Sequence, residues 1–363
     1  MSGMDQAGLS VYRRVKLDLA YLAGRGMDQF AKRHPAIWRD SSAMQKVQLS
    51  DEFSTFIESL EESFAIDNPA LFIDHACWAA VHLTSLGFSK KYVSLILDTL
   101  REVFEKELPI EFRKQAWDFI VKSQAALKKS SMDVPTCIVP DNPLADVARS
   151  FLAAGIAEDK NRALQILEDV LRSGVPVKGI YLNVLEPVLK ETGRLWQLGK
   201  VGIAQEHFIT ALVETCMARL HDLIISSGGR KKIRRQKRIV AASVGSDLHE
   251  IGIHIVADFF EMDGWATYYF GGNTPVGSIL EAVRDQNADV IALSTTMVRY
   301  LPEVRYLVRS LRAEKTTSEA KIIVGGYPFK VVPDLWKQIG ADAYAGTAED
   351  AVTIANHLIH KRD

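Results

Sequence analysis

The sequence predicts an α + α/β protein: an N-terminal helical domain, then a small four-helix bundle, then a doubly wound five-stranded parallel sheet. Three observations predict it. Helical periodicity without strand signal fills residues 11–128 and again 143–227, and beyond the basic run RKKIRRQKR at 230–238 short apolar runs alternate with helical stretches.

The first region reads as a set of amphipathic helices. In DEFSTFIESLEESFAI, Phe53, Phe56, Ile57, Leu60 and Phe64 recur at steps of three and four, which builds one apolar face. NPALFIDHACWAAVHLTSLG opens on an Asn-Pro helix entry and stops at Gly87, and two further helices are expected at 89–106 and 109–128. The stretch KKSSMDVPTCIVPDNP breaks the periodicity with three prolines, so 1–130 is expected to be one domain and 131–142 a linker. Within 143–228, YLNVLEPVLKETGRLWQLGKVGIAQEHFITALVETCMARLHDLI divides into two helices at a turn from Gly199 to Gly202, half of a four-helix bundle.

A basic connector at 229–237 leads into the final domain, 238–363. IVAASV, ATYYFGG, VIALSTT, KIIVGG and AYAG are too short and too β-branched for helices. They alternate with helical stretches at 250–262, 275–287, 299–313, 332–339 and 349–361, the pattern of a sheet wound on both sides. Ligands on such sheets sit beyond the carboxyl ends of the strands, where Asp247, His249, Ser294, Thr296, Gly325 and Gly326 all fall.

Composition narrows the function classes. Lys and Arg total 44 against 45 Asp and Glu, a formal net charge of −1, so no global field draws nucleic acid or an anionic membrane. The run at 230–238 is expected to be a solvated connector rather than a DNA contact. No signal-like or membrane-spanning apolar stretch stands out, and a cytoplasmic protein is expected. Cys77, Cys137 and Cys216 are scattered without a CxxC pair, which argues against a disulfide framework or a zinc knuckle.

SVGSDLHEIG, residues 243–252, carries the most specific chemistry. Ser246 or Asp247 could simply cap the helix beginning near 250. However, Gly252 inside the first turn costs about 1 kcal/mol relative to alanine, which suggests that something approaches the backbone there. Asp247 lies two residues before His249 and could hold one ring nitrogen, leaving the other as an oriented metal ligand. No cysteine or second histidine lies within this stretch to complete a zinc site, so the metal should arrive with most of its coordination filled, as in a macrocycle.

DLHEIG resembles the DxHxxG motif of cobalamin-binding domains, which implies a flavodoxin-like, Rossmann-like fold for 238–363. The resemblance implies His249 as lower cobalt ligand in place of the cofactor's benzimidazole, Asp247 as its partner and Gly252 as space for the nucleotide tail. It extends to Ser294 and Thr296 in ALSTTM and to Gly325 and Gly326 in IVGGYP, the lining of the tail's slot. Residues 143–228 match in size and position the helical cap over the upper corrin face.

In that cap, WQLGKVGIAQEH resembles the W-x9-EH signature of B12-dependent light sensors, through Trp196, Glu206 and His207. That implies adenosylcobalamin, light-triggered cobalt–carbon cleavage and cap rearrangement, with His207 as an alternative upper ligand. Gln197 stands where the repressors of that family carry the recoordinating histidine, and the N-terminal region lacks their winged-helix module. It resembles instead the helical domain of stand-alone photoreceptors of the photocobilin type, which implies biliverdin as a second chromophore near His75, Trp78, His82 and Arg33 or His34. Signalling would then run through a homo-oligomer or a downstream protein partner. The competing class is enzymatic, a corrinoid methyl carrier of a methyltransferase system or the cobalamin module of a methyltransferase or mutase, though no catalytic barrel stands out for a mutase; cobalamin storage is a third reading, and as a photoreceptor the chain is expected not to be an enzyme.

Overall fold

The computed structural model describes residues 18–227 and 237–360 and divides the chain into two compact units, with the boundary between Asp133 and Val134. Of the basic run at 230–238, residues 230–236 lie outside the described residues. Among the described residues no helix is long and apolar enough to cross a membrane.

The described residues of the first unit form helices and no strand. Its elements are α1 (Leu19–Arg33), α2 (Pro35–Asp40), α3 (Ala43–Ala65), α4 (Ala70–Ser85), α5 (Tyr92–Glu107) and α6 (Ile110–Lys129). Local chemistry sets their ends. Asp18 accepts the Tyr21 amide at the start of α1, and Ser42 and Gln45 form a reciprocal capping box at the start of α3. The five apolar residues read from the sequence of α3 are all essentially inaccessible, and with Phe30, Phe72 and Phe104 they make the centre of this unit's core.

In the second unit, α7 (Ala145–Ile156), α8 (Lys160–Arg172), α9 (Val177–Ile180), α10 (Glu186–Gln197) and α11 (Ile203–Ser227) form the bundle, with a π-helical stretch at Tyr181–Leu185 joining α9 to α10. The expected linker has no regular structure but is strapped to α10. Glu191 accepts the Cys137 amide at 2.7 Å, and Arg194 pairs with Glu191 while donating to the Val134 carbonyl. Burial is the largest influence on Glu191 and favours protonation, yet Arg194 and the Cys137 amide outweigh it and hold the carboxyl below its usual range.

The sheet comprises β1 (Arg238–Ser243), β2 (Ala266–Tyr269), β3 (Val290–Ser294), β4 (Lys321–Gly325) and β5 (Ala343–Tyr344), all parallel in the order β2-β1-β3-β4-β5. Between them run α12 (Ile251–Met262), α13 (Val276–Asp285), α14 (Leu301–Ala313), the pair α15 (Tyr327–Val331) and α16 (Leu335–Ile339), and finally α17 (Ala348–His360). The helix expected at 332–339 is shorter, beginning only at Leu335 after Pro333, and a second short helix, Tyr327–Val331, precedes the expected span. Helices α12 and α17 cover one face through Ile253, Ala257, Phe260, Ala351 and Ala355.

Bundle and sheet share a core. Ile251, Ile255 and Phe259 of α12 pack into the cluster formed by Tyr181, Val213, Met217 and Leu220. The Tyr181 hydroxyl crosses this seam and donates to Asp258 at 2.5 Å. Burial drives the Asp258 carboxyl above its usual range, partly opposed by that hydrogen bond.

The strand order reverses between β1 and β3, which opens a crevice at their carboxyl ends. At its edge Gly326 adopts φ +103°, and a Cβ there would lie 1.9 Å from the Thr295 carbonyl oxygen. The chain after β4 therefore passes directly against the loop after β3. Gly326→Ala should lower unfolding free energy by about 3 kcal/mol in urea titrations followed by circular dichroism, the sum of left-handed strain and the backbone clash.

Candidate functional site

The loop from β1 to α12 has its shape fixed before any ligand is considered. Gly245 turns at φ +75°, where a side chain would collide with Tyr300 and Glu303. Ser243 donates its hydroxyl to the Asp247 carbonyl at 3.2 Å, and Glu250 accepts the amide of Gly272 beyond β2. Neither Ser246 nor Asp247 caps α12: its N-cap residue is Glu250, without a side-chain cap bond, and Ser246 is exposed.

Asp247 instead turns inward, its side chain wholly buried. One oxygen accepts His249 Nδ1 at 2.7 Å and the His249 amide at 3.1 Å. The other accepts the Thr296 and Met297 amides at 2.6 and 3.1 Å and the Thr295 hydroxyl at 3.3 Å. Burial is the strongest influence on this carboxyl and works toward protonation, but the His249 bond and the three amides together hold it below its ordinary value. The bond to Asp247 raises the His249 pKa against the opposing effect of burial, helped by the charges of Asp247 and Glu206.

For Asp247 this linkage stabilises the fold above its unfolded value and is lost as pH falls through the depressed one. For His249 it is complete below the unfolded value and is lost as pH rises through the raised one. The pair is therefore worth most between about pH 4 and 6.5. The imidazole itself is 59 % exposed, and since Nδ1 is committed to Asp247, Nε2 is the nitrogen left to act as a ligand.

Around this pair the sequence-derived residues divide by what explains them. Gly326 has a protein-internal reason, its crossing with Thr295. Gly252 has none, because a Cβ built there would meet no atom within 4 Å. Ser294 ends β3, in register with Ser243 on one side and Gly325 on the other, so these residues border the crevice. Thr296 contributes its backbone amide to Asp247. Thr295 and Glu250 were not singled out from sequence, and only side-chain hydrogen bonding separates them from their neighbours.

In the bundle, Trp196 ends α10 half-buried and Glu206 lies in the first turn of α11. The two acidic-basic neighbours behave differently. Glu206 accepts the Thr210 hydroxyl at 2.9 Å, and its charge reaches His249, whereas His207 is 72 % exposed and held by Nδ1 to Glu206 at 2.6 Å. Glu206, more than His207, is the bundle residue electrostatically linked to the crest. Gln197 is buried.

In the first unit, His75, Trp78 and His82 share one face of α4. His75 is 2.7 Å from the buried Glu52, and Trp78 stacks near both histidines, at 6.3 and 4.8 Å between centroids. Arg33 is already paired with Glu102, so it does not stand free as an anion partner, and the His34 ring packs on Phe30.

Two family models, each described as a B12 binding domain, match residues 147–221 and 237–355, the bundle and the sheet. Dimethylamine corrinoid protein 1 of Methanosarcina mazei is 32% identical over 215 residues, which cover 59% of this chain and 96% of that protein. Dimethylamine corrinoid protein 3 of Methanosarcina acetivorans is 29% identical over 207 residues, covering 57% of this chain and 93% of the relative. Among solved structures, the monomethylamine corrinoid protein of Methanosarcina barkeri superposes with a TM-score of 0.52 at 19% identity, over 59% of this chain and 99% of that one, a likeness of fold. With nearly the whole of a corrinoid protein matched at 32% identity and both parts of the second unit recognised as B12-binding domains, the chain belongs to the cobalamin-binding corrinoid-protein family.

Proposed function

We propose that the protein holds a cobalamin on the crest of the sheet, with His249 Nε2 as the lower cobalt ligand and Asp247 as the group that orients the ring. The nucleotide tail would enter the crevice bordered by Gly252, Ser294, Thr296, Gly325 and Gly326. One observation carries this reading: a half-exposed histidine tethered through Nδ1 to a wholly buried carboxylate, which two further loop amides hold in place at the strand-order reversal. The open space beside Gly252 supports it, since a glycine in a first helical turn with no protein neighbour leaves room for a ligand. When bound, cobalamin supplies a cobalt centre that holds and releases an alkyl group. The chain's own part is to keep Asp247 ionised, fix the imidazole tautomer and cover the crest with the bundle.

On the footing of its relatives, the activity is that of a corrinoid methyl carrier serving a partner methyltransferase. A second reading, a light sensor using adenosylcobalamin, has its own support. Trp196 and Glu206 sit in the bundle as a half-buried bulky side chain and a charge that favours protonated His249. Moreover, nearly all of a relative is matched by 59% of this chain, so the chain carries much additional sequence. Biliverdin as a second chromophore belongs to this reading, with the His75, Trp78 and His82 face as the place to seek it.

Reconstitution with methylcobalamin and adenosylcobalamin, followed in darkness and in light, separates the two. Methyl exchange with a partner methyltransferase, indifferent to light, is the carrier's result; rapid bleaching of the adenosyl form with a change in oligomer size is the sensor's. Supplying biliverdin should add a red absorption band under the second reading, and a colourless outcome removes that chromophore. His249→Ala should lose the histidine-ligated spectrum, which in the unmodified protein should fade only at pH well below the ligand-free His249 value, because cobalt competes with the proton for the Nε2 lone pair. An unchanged spectrum in the variant overturns the ligand assignment. Gly252→Ala should stabilise the cofactor-free protein by about 0.5–1 kcal/mol in urea titration while weakening cobalamin binding.

A further inference from the structure

Away from the crest, the seam between α11 and α12 gathers a second set of ligating side chains. His221 of α11 faces Asp258 and Glu261 of α12, and one ligating atom from each lies within 4.8 Å of the other two. Asp258 and Glu261 are three residues apart and so share a helix face, while His254, one turn earlier, brings Nε2 to 3.9 Å from the Asp258 carboxylate. We propose that this cluster is a divalent-cation site of zinc type, with His221, Asp258 and Glu261 as ligands and a water in the fourth position, while His254, stacked on Tyr269, stays outside it.

The donor set, imidazole nitrogen with carboxylate oxygens, is one zinc accepts readily. Bonds of about 2.0–2.2 Å in a tetrahedron place ligand atoms roughly 3.4 Å apart. The His221–Glu261 contact, now 2.7 Å, would open by a fraction of an ångström and the longer separations would close. Side-chain rotation suffices, because His221 and Glu261 are each about a third exposed while Asp258 is buried and anchored by Tyr181. The cation would tie α11 of the bundle to α12, the helix that begins two residues after His249, so its occupancy would bear on how firmly the bundle is seated on the sheet.

The full chain, stripped of metal with a chelator, should bind one equivalent of Zn²⁺ in calorimetric titration and melt at a higher temperature with it. Glu261→Gln and His221→Gln should each weaken binding at least tenfold, about 1.4 kcal/mol, and lose the zinc-dependent rise in melting temperature. Zinc-edge X-ray absorption of the unmodified protein, which needs no variant, should show four-coordination with imidazole and carboxylate. Failure to bind one equivalent, affinity unchanged in both variants, or an all-oxygen six-coordinate spectrum overturns the proposal.

Discussion

The site depends on one buried carboxylate. Asp247 is a charge with no water around it, tolerable only because five hydrogen bonds from two loops converge on it. Two of those donors, the amides of Thr296 and Met297, belong to the loop after β3, so the loop after β1 cannot take its shape until β1 and β3 are paired in register. The sheet is thus a precondition for the orientation of the imidazole, and the order β2-β1-β3 matters because it sets those two loops side by side at the crevice.

Much of this was legible in the sequence. The five strands and the alternation of helices were readable from run length and β-branching, and the DLHEIG and STT stretches identified the loops that meet. What escaped was set by tertiary contact rather than by local pattern. A helix read over 332–339 starts only at Leu335, after Pro333. A capping role for Ser246 or Asp247 fitted local rules equally well, and only the inward turn of Asp247 toward β3 removes it. Glu206 and His207 are sequence neighbours whose different exposure depends on how α11 is rotated in the bundle, which a motif cannot encode.

The glycines show the same limit from another side. Gly252 and Gly326 both fall in the stretches that resemble cobalamin-binding domains, yet the chain explains only one of them. Gly326 is required by a backbone crossing so close that a Cβ would lie 1.9 Å from the Thr295 oxygen; Gly252 borders open space.

The Tyr181–Asp258 bond and the apolar cluster around it have a bearing on how the second unit comes into being. Two separate sequence families meet in it, but neither possesses a complete interior of its own, since residues of α12 finish the bundle's core. Such an arrangement makes bundle and sheet a single cooperative transition, and a recombination event that exchanged one without the other would inherit an apolar surface and an unpaired acid in place of a joint.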